Sequence, residues 1–322
     1  MLGLALPWKL RALGVIGINA RNGDYVAPCN PRSLYPRVDN KILTKQLALA
    51  AGIAVPALYG VIETNHGVRR LPELLAGHDD FVIKPAHGSG GEGIVVIEGR
   101  AGDFFRKASG TPVSVEDLKH HVTGILSGMY SLGGQPDQAM IEYRVRFDPL
   151  FEAITYHGVP DIRTIVYKGY PVMAMVRLPT RLSGGKANLH QGAVGAGIDL
   201  ATGRTLEGTW HDRRIGVHPD TGVSIAGRMI PGWEQLLLLA ASCHELAGLG
   251  YLGVDVVLDA ERGPLMLELN ARPGLGIQIA NGIGLRGSLE AVDRELGDRQ
   301  PPAVEERVAF AVAKSARDGT GA

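Results

Sequence analysis

Apolar and polar positions along this chain fall into short blocks with two different periods. Compact apolar runs bounded by Gly, Pro or Asp recur at 81–85 (FVIKP), 94–97, 139–143, in several pieces across 154–177, and as a close pair across 254–276. Runs of that length and bounding predict strands. Two stretches carry the helical period instead. Asp39 or Asn40 is placed to cap a helix whose Leu43, Leu47, Ala50 and Ala51 form an i, i+4, i+7, i+8 stripe, and Gly52 stops it. From 233 to 249, Leu236, Leu239, Ala240, Cys243 and Ala247 share a face, and Gly250 ends the helix. Residues 1–18 read as a short amphipathic docking helix, because Lys9 and Arg11 interrupt the apolar run. The Pro-, Asn- and Arg-rich stretch at 19–38 predicts an ordered loop, 101–137 helix and loop, 183–197 a glycine-rich loop, and the chain from about 303 a polar tail. Strands and helices mix without a βαβ rhythm, which predicts an α+β fold with largely antiparallel sheets.

The paired strands at 254–276 carry the first chemistry. Asp255 lies on one, Glu268 and Asn270 on the other. Strict alternation places Glu268 and Asn270 on one face with Met266 beside them, and sends Leu265, Leu267 and Leu269 into a core. A carboxylate among apolar neighbours is expensive to bury unless it is paired or binds a cation. Two carboxylates and an amide oxygen, without Cys or His, suit a hard ion such as Mg²⁺ held against phosphate.

Composition narrows the classes. The 322 residues allow two or three small domains, and 45% apolar with 20% charged content is ordinary for a globular protein. Lys+Arg and Asp+Glu balance at 33 each, so nothing steers the chain toward nucleic acid or an anionic membrane. No run approaches the ~18 apolar residues of a membrane span. Cys29 and Cys243 stand far apart in the sequence with no CxxC pair, which fits a reducing cytoplasm.

Glycine is enriched, at 44 residues, and one cluster is chemically pointed. Gly88-Ser89-Gly90-Gly91-Glu92-Gly93 matches G-x-G-x-x-G, but here strand leads to strand, where a dinucleotide fold needs strand to helix. With Val95 it also matches the kinase glycine loop, yet the lysine precedes the loop, at Lys84, and the H-R-D and D-F-G motifs are missing. No Gly-Lys-[Ser/Thr] follows, so a Walker loop is excluded as well. What remains is a hairpin flap whose backbone N–H groups can cover phosphates, with Lys84 as a point charge on the incoming strand.

Taken in order, these pieces resemble the ATP-grasp superfamily of carboxylate–amine ligases. Asp39-Asn40-Lys41 opening a helix that ends Ala51-Gly52-Ile53-Ala54-Val55-Pro56 is similar to the family's first phosphate lysine segment; Val82-Ile83-Lys84-Pro85 and the glycine loop resemble its second lysine and flap. Ile141-Glu142-Tyr143 resembles the strand that holds adenine, and Asp255, Glu268 and Asn270 with Asn270-Ala271-Arg272-Pro273-Gly274 resemble the Mg²⁺ ligands and their N-x-x-P-G ending. Asp161-Ile162-Arg163, Ala174-Met175-Val176-Arg177 and Asn188-Leu189-His190-Gln191-Gly192 are similar to the RimK-type α-L-glutamate ligases. Gly17–Asn22 with Leu34-Tyr35-Pro36 fits the related sugar-transfer-associated subgroup. One departure stands out: about 40 residues precede Lys41, where RimK-type enzymes carry a domain of roughly a hundred, so the expectation is a fold lacking a full N-terminal pre-ATP-grasp domain.

The resemblance implies an ATP-grasp fold of two α+β lobes with ATP bound between them. Residues 1–38 would be an N-terminal segment, 39–137 the small lobe with its flap, and 138–322 the large lobe with the metal site. It implies ATP and Mg²⁺ as cofactors (two ions, with Mn²⁺ as a substitute), the metal held by Asp255, Glu268 and Asn270. Lys41 and Lys84 would neutralise phosphates under the loop of Gly88, Ser89, Gly90, Gly91 and Gly93. Glu142 would meet the adenine amino group, with backbone at Tyr143 and Val145 reading the ring edge. Arg177 would hold the transferred phosphoryl group, Arg163 a substrate carboxylate, and Asn188 and Arg272 would complete the cleft. The implied reaction is ATP-dependent amide formation between a small-molecule carboxylate and an amine through an acyl phosphate, with glutamate and a peptide or amino-sugar acceptor as the substrates suggested; a cytoplasmic homo-oligomer is the implied form. A phosphotransferase and a non-catalytic nucleotide-binding module are the competing readings. Of the histidines, His87 beside the flap and His190 in the matched loop stay open, whereas His120, His121, His211 and His218 are expected at the surface.

Overall fold

A computed structural model describes residues 7–88 and 90–319. The chain divides into two compact units. The smaller comprises Asp39–Gln46 and Val55–Val145, and the larger holds the described residues of Met1–Val38, Leu47–Ala54 and Arg146–Ala322. The break therefore falls after Val145, not after residue 137, because the strand at 139–142 is hydrogen-bonded inside the smaller unit's sheet.

That sheet contains β1 (Leu58–Ile62), β2 (Phe81–Pro85), β3 (Val95–Ala101), β4 (Phe104–Lys107), β5 (Pro112–Val113) and β6 (Ala139–Glu142). Their order is β1-β6-β2-β3-β4-β5, every neighbour antiparallel. Helix Val115–Leu126 starts at a capping box, Ser114 with Asp117, and buries Leu118, Val122 and Ile125 against Phe81, Ile83, Ile97 and Phe105. Strands β4 and β5 correct the helix-and-loop reading of 101–137. Phe104–Lys107 is too short to show a period, and it becomes a strand because Phe105 can reach this core, edge-on to Phe81 at 5.0 Å.

Helix Lys41–Ala50 begins as expected, with Asn40 Oδ1 accepting from the N–H groups of Ile42 and Leu43. Its buried positions are Ile42, Thr44, Lys45 and Ala48 and not the Leu43–Leu47–Ala51 stripe, since a buried lysine paired with a carboxylate outweighs the apolar pattern.

The larger unit is built on β7 (Asp161–Tyr167), β8 (Tyr170–Leu178), β9 (Val194–Ile198), β10 (Thr205–Trp210), β11 (Arg213–Ile215), β12 (Tyr251–Asp259) and β13 (Gly263–Asn270), in the antiparallel order β11-β10-β9-β8-β7-β12-β13. Helix Trp233–Ala247 packs on β7, β8, β12 and β13 and is closed by Gly248 in the left-handed conformation. Both units mix helices with antiparallel sheets, which is the expected α+β class.

Two segments are more ordered than the sequence pattern foretells. The stretch read as a loop forms consecutive helical turns, Ile18–Ala20, a π-type turn Arg21–Val26, and Ala27–Cys29. It does so because Tyr25 and Val26 enter the core of Tyr167, Tyr170 and Tyr251. The stretch read as a polar tail is helix Val304–Gly319, whose narrow stripe buries Val308 and Ala311 and sets Phe310 edge-on to Tyr170 at 5.5 Å. Of the amphipathic segment expected at 1–18, Pro7–Ala12 is helical with Trp8 exposed; residues 1–6 lie outside the described residues. Cys29 and Cys243 are free thiols. Among the described residues no helix is long and apolar enough to cross a membrane.

Candidate functional site

Register alone assembles a charged face on the larger sheet. Asp255 pairs with Arg163 on β7 and with Glu268 on β13, and Asp161, two residues from Arg163, pairs with Arg177 on β8. Paired residues share a face, as do residues two apart on a strand. Asp161, Arg163, Arg177, Asp255, Glu268 and Asn270 therefore line one side. Toward the other end of the same face the positions turn apolar, Ile165, Tyr167 and Met175, and are covered by the N-terminal segment and helices Gly276–Asn281 and Arg286–Leu296.

The side chains are tightly bonded. Arg163 grips Asp255 with both prongs, Nε to Oδ1 at 2.7 Å and Nη2 to Oδ2 at 2.6 Å. Arg177 grips Asp161 the same way, at 2.5 Å twice, and extends Nη2 to Asp255 Oδ2 at 2.7 Å. Burial works to raise the Asp255 pKa, but the two guanidiniums outweigh it and hold the carboxyl far below the usual range. Burial, opposed by Arg177 and reinforced by the charge of Asp255, pushes Asp161 up to about 6.

A β-bulge shapes the metal-candidate strands. Asp255 opposes Glu268, yet Val256 opposes Met266, so Leu267 is the extra residue. Beyond the bulge the faces exchange: Leu265 pairs with Val257 on the Asp255 side, and Met266 turns away. The expectation that Met266 sits beside Glu268, which assumed unbroken alternation, is corrected accordingly.

The donor set fits a hard cation. Asn270 Nδ2 donates toward both carboxylates, 3.3 Å from Asp255 Oδ2 and 3.5 Å from Glu268 Oε1, leaving the lone pairs of its own oxygen for a cation. On this face three carboxylates, Asp161, Asp255 and Glu268, stand against two guanidiniums, so one negative charge is left over. Among the described residues no three His, Cys, Asp or Glu side chains form a ready-made metal cage; here the third donor is an amide and Asp255 is engaged by arginine.

In the smaller unit the structure brings forward a residue that pattern reading overlooks. Glu142 is 3% exposed, and its two carboxylate oxygens are taken by Lys45 Nζ at 2.6 Å and Lys84 Nζ at 2.5 Å. Lys45 also donates to the carbonyl of Pro56. Desolvation lowers the Lys45 pKa, against the pull of Glu142, and burial of Glu142 is outweighed by Lys84 and Lys45, which hold its carboxyl below the ordinary value. Glu142 is thus a counter-ion between two lysines, which differs from the expected contact with an adenine amino group. Lys41, the expected first lysine, donates to the Gly88 carbonyl at 2.6 Å, at the root of the glycine loop. The only signal for Lys45 was its place one helical turn after Lys41.

Gly90, Gly91 and Gly93 take positive φ, as a tight flap requires, and a Cβ on Gly93 would lie 2.6 Å from the Tyr130 ring. Ser89 lies outside the described residues. Tyr143 and Val145 are buried, and the N–H of Tyr143 is bonded to the Ala57 carbonyl at 2.8 Å. Asn188 caps the short turn Leu189–Gln191 through the N–H of His190. Arg272 is exposed and lies over Tyr35 at 5.3 Å, outside the bonded charged cluster. His218 is not a surface residue but is fully buried against the Pro179 carbonyl, and His121 is partly buried and bonds the Gly93 carbonyl at 2.9 Å, burial lowering the pKa of each.

Comparison with known proteins adds the family. The chain is 25% identical over 297 residues to a probable alpha-L-glutamate ligase of Parasynechococcus marenigrum, covering 92% of this chain and 47% of that one. A Pseudomonas putida protein of the same description is 24% identical over 277 residues, with 85% and 70% covered. The chain thus spans about half the length of the first of these relatives (47%). Among solved structures it is similar to the D-cycloserine synthetase DcsG, at 16% identity and TM-score 0.44 over 92% of this chain and 79% of that one. It is likewise similar to a Bacillus anthracis D-alanine–D-alanine ligase, at 13% identity and TM-score 0.43 over 89% and 70%. Residues 20–294 match the family described as sugar-transfer associated ATP-grasp. The chain belongs to that family, and its two α+β units are an ATP-grasp fold.

Proposed function

We propose that the protein is an ATP-dependent ligase that joins a carboxylate to an amine through an acyl phosphate and releases ADP and phosphate, with glutamate ligated to a peptide or amino-sugar acceptor. The observation that carries this reading is the charged face of β7, β8, β12 and β13, where carboxylates and paired arginines occupy one surface. A free carboxylate acylates amines poorly; phosphorylation supplies a leaving group, and the transfer spreads negative charge over phosphate oxygens that preorganised cations stabilise. Arg177 and Arg163 are planar, permanently charged and already held by carboxylates, so they meet such an anion without reorganising. Asp255, Glu268 and Asn270 would hold Mg²⁺, which when bound would supply further positive charge to the phosphates. Lys84 and Lys45 carry a net positive charge around Glu142 and would neutralise the nucleotide, while the Gly88–Gly93 loop excludes water, to which an acyl phosphate is vulnerable.

Relatives named as alpha-L-glutamate ligases support the substrate suggestion. The test is ADP release with Mg²⁺ across a panel of amino acids, peptides and amino-sugars, with the product identified by mass. Amine-dependent ADP release with a new amide is expected. Phosphate transfer without an amide would replace the ligase by a phosphotransferase, and absence of nucleotide binding would remove both.

A further inference from the structure

The glycine loop is rooted by a pair of side chains that the roles above leave unused. Asp137 has a side chain 1% exposed, and its Oδ1 accepts from the backbone N–H of Gln138 at 2.7 Å and of His87 at 3.2 Å. Oδ2 accepts from the same His87 N–H at 3.0 Å. The His87 ring completes the set, its Nδ1 2.7 Å from Oδ1. A carboxylate only accepts, so Nδ1 bears the hydrogen and the ring orientation is fixed. The ring is nevertheless 43% exposed, and Nε2 bonds nothing among the described residues. An imidazole that merely decorated a loop would need no buried carboxylate to orient it.

Its position gives it work. His87 immediately precedes Gly88, whose carbonyl receives the Lys41 ammonium at 2.6 Å, so an imidazole and an ammonium flank the root of the loop. The loop's own carboxylate, Glu92, is exposed.

We propose that His87 and Asp137 form a phosphate-binding dyad. Nε2 of His87 donates to a β- or γ-phosphate oxygen of the bound nucleotide, and Asp137 is the positioning residue that fixes the ring. This rests on the nucleotide reading of the preceding subsection and adds a ligand to it. Losing one charge-assisted hydrogen bond corresponds to roughly tenfold to a hundredfold in affinity.

The test is equilibrium binding of ATP, ADP and AMP to the full chain with Mg²⁺ at pH 7. His87→Gln is expected to weaken ATP about tenfold or more while changing AMP less than about twofold. His87→Arg, which places a permanently charged donor there, should recover most of the loss, and Asp137→Asn should fall between with the same preference for the longer phosphate chain. ATP binding unchanged in His87→Gln overturns the dyad and leaves the ligase reading standing. Equal losses for ATP and AMP also overturn it, because they show a loop collapsed rather than a ligand removed. A wild-type chain that binds no adenine nucleotide overturns the ligase reading, and the dyad with it.

Discussion

Among single residues, Glu142 and Glu268 separate stability from chemistry. Glu142 is enclosed by two ammoniums, so Glu142→Gln leaves both lysines buried beside a neutral amide and should lower stability by about 3–5 kcal/mol in urea unfolding. Its folded pKa lies below the ordinary carboxylate value, so its stabilisation is complete above the unfolded pKa and is lost as pH falls through the folded one. Wild-type melting temperature should therefore drop on acidification below about pH 5, and Glu142→Gln should flatten that limb. Glu268 is different: it is only partly buried and receives no guanidinium bond among the described residues, so Glu268→Ala should leave the melting temperature nearly unchanged and abolish ADP release. Full turnover in that variant would dismiss the metal assignment. At this scale the sequence was legible where a residue's type is rare for its setting, as with Lys84 and Asp255 among apolar neighbours. Lys45 was not, because a lysine on a helix reads as solvated until its carboxylate partner, 97 positions away, is known.

Elements carry the next level of specification. Strands β2, β12 and β13 were readable because each is an apolar run with clear stops. The bulge at Leu267 was not, since an extra residue leaves no mark on an apolar stretch and shows only when two strands are paired. Helix Val304–Gly319 and the turns of Ile18–Cys29 were missed for a related reason: a few apolar positions suffice when the tyrosines of β7, β8 and β12 supply the rest of the core. The flap's constraint is local. Gly93 combines φ +71° with a Cβ position 2.6 Å from Tyr130, so Gly93→Ala should destabilise by about 1–3 kcal/mol and weaken ATP binding. An unchanged nucleotide affinity would show that the loop does not close over the ligand.

For the whole molecule, fold class and the order of the motifs were legible, whereas the limits of the two units were not. Those limits follow hydrogen bonding: the helix at 41–50 contributes to both units, and β6 joins a sheet begun some eighty residues earlier. If the chain binds the nucleotide as proposed, Mg²⁺-ATP at a hundred times its dissociation constant should stabilise it by about 2.7 kcal/mol, read as a concentration-dependent rise in melting temperature. A melting temperature indifferent to ATP would contradict the ligase reading at its first step.

The N-terminal stitching sets an order of events during synthesis. The side-chain amide of Asn30 bonds the N–H and the carbonyl of Tyr251 and the carbonyl of Ala271, and Gln278 bonds the backbone of Ile16 in both directions, across 221 to 262 positions of sequence. These partners leave the ribosome long after the segment that needs them. At about 5–20 residues per second the stretch around Tyr25 waits on the order of ten seconds or more, its apolar side chains uncovered. Chaperone demand should accordingly centre on the nascent N-terminal segment, and end when the metal-candidate strands emerge.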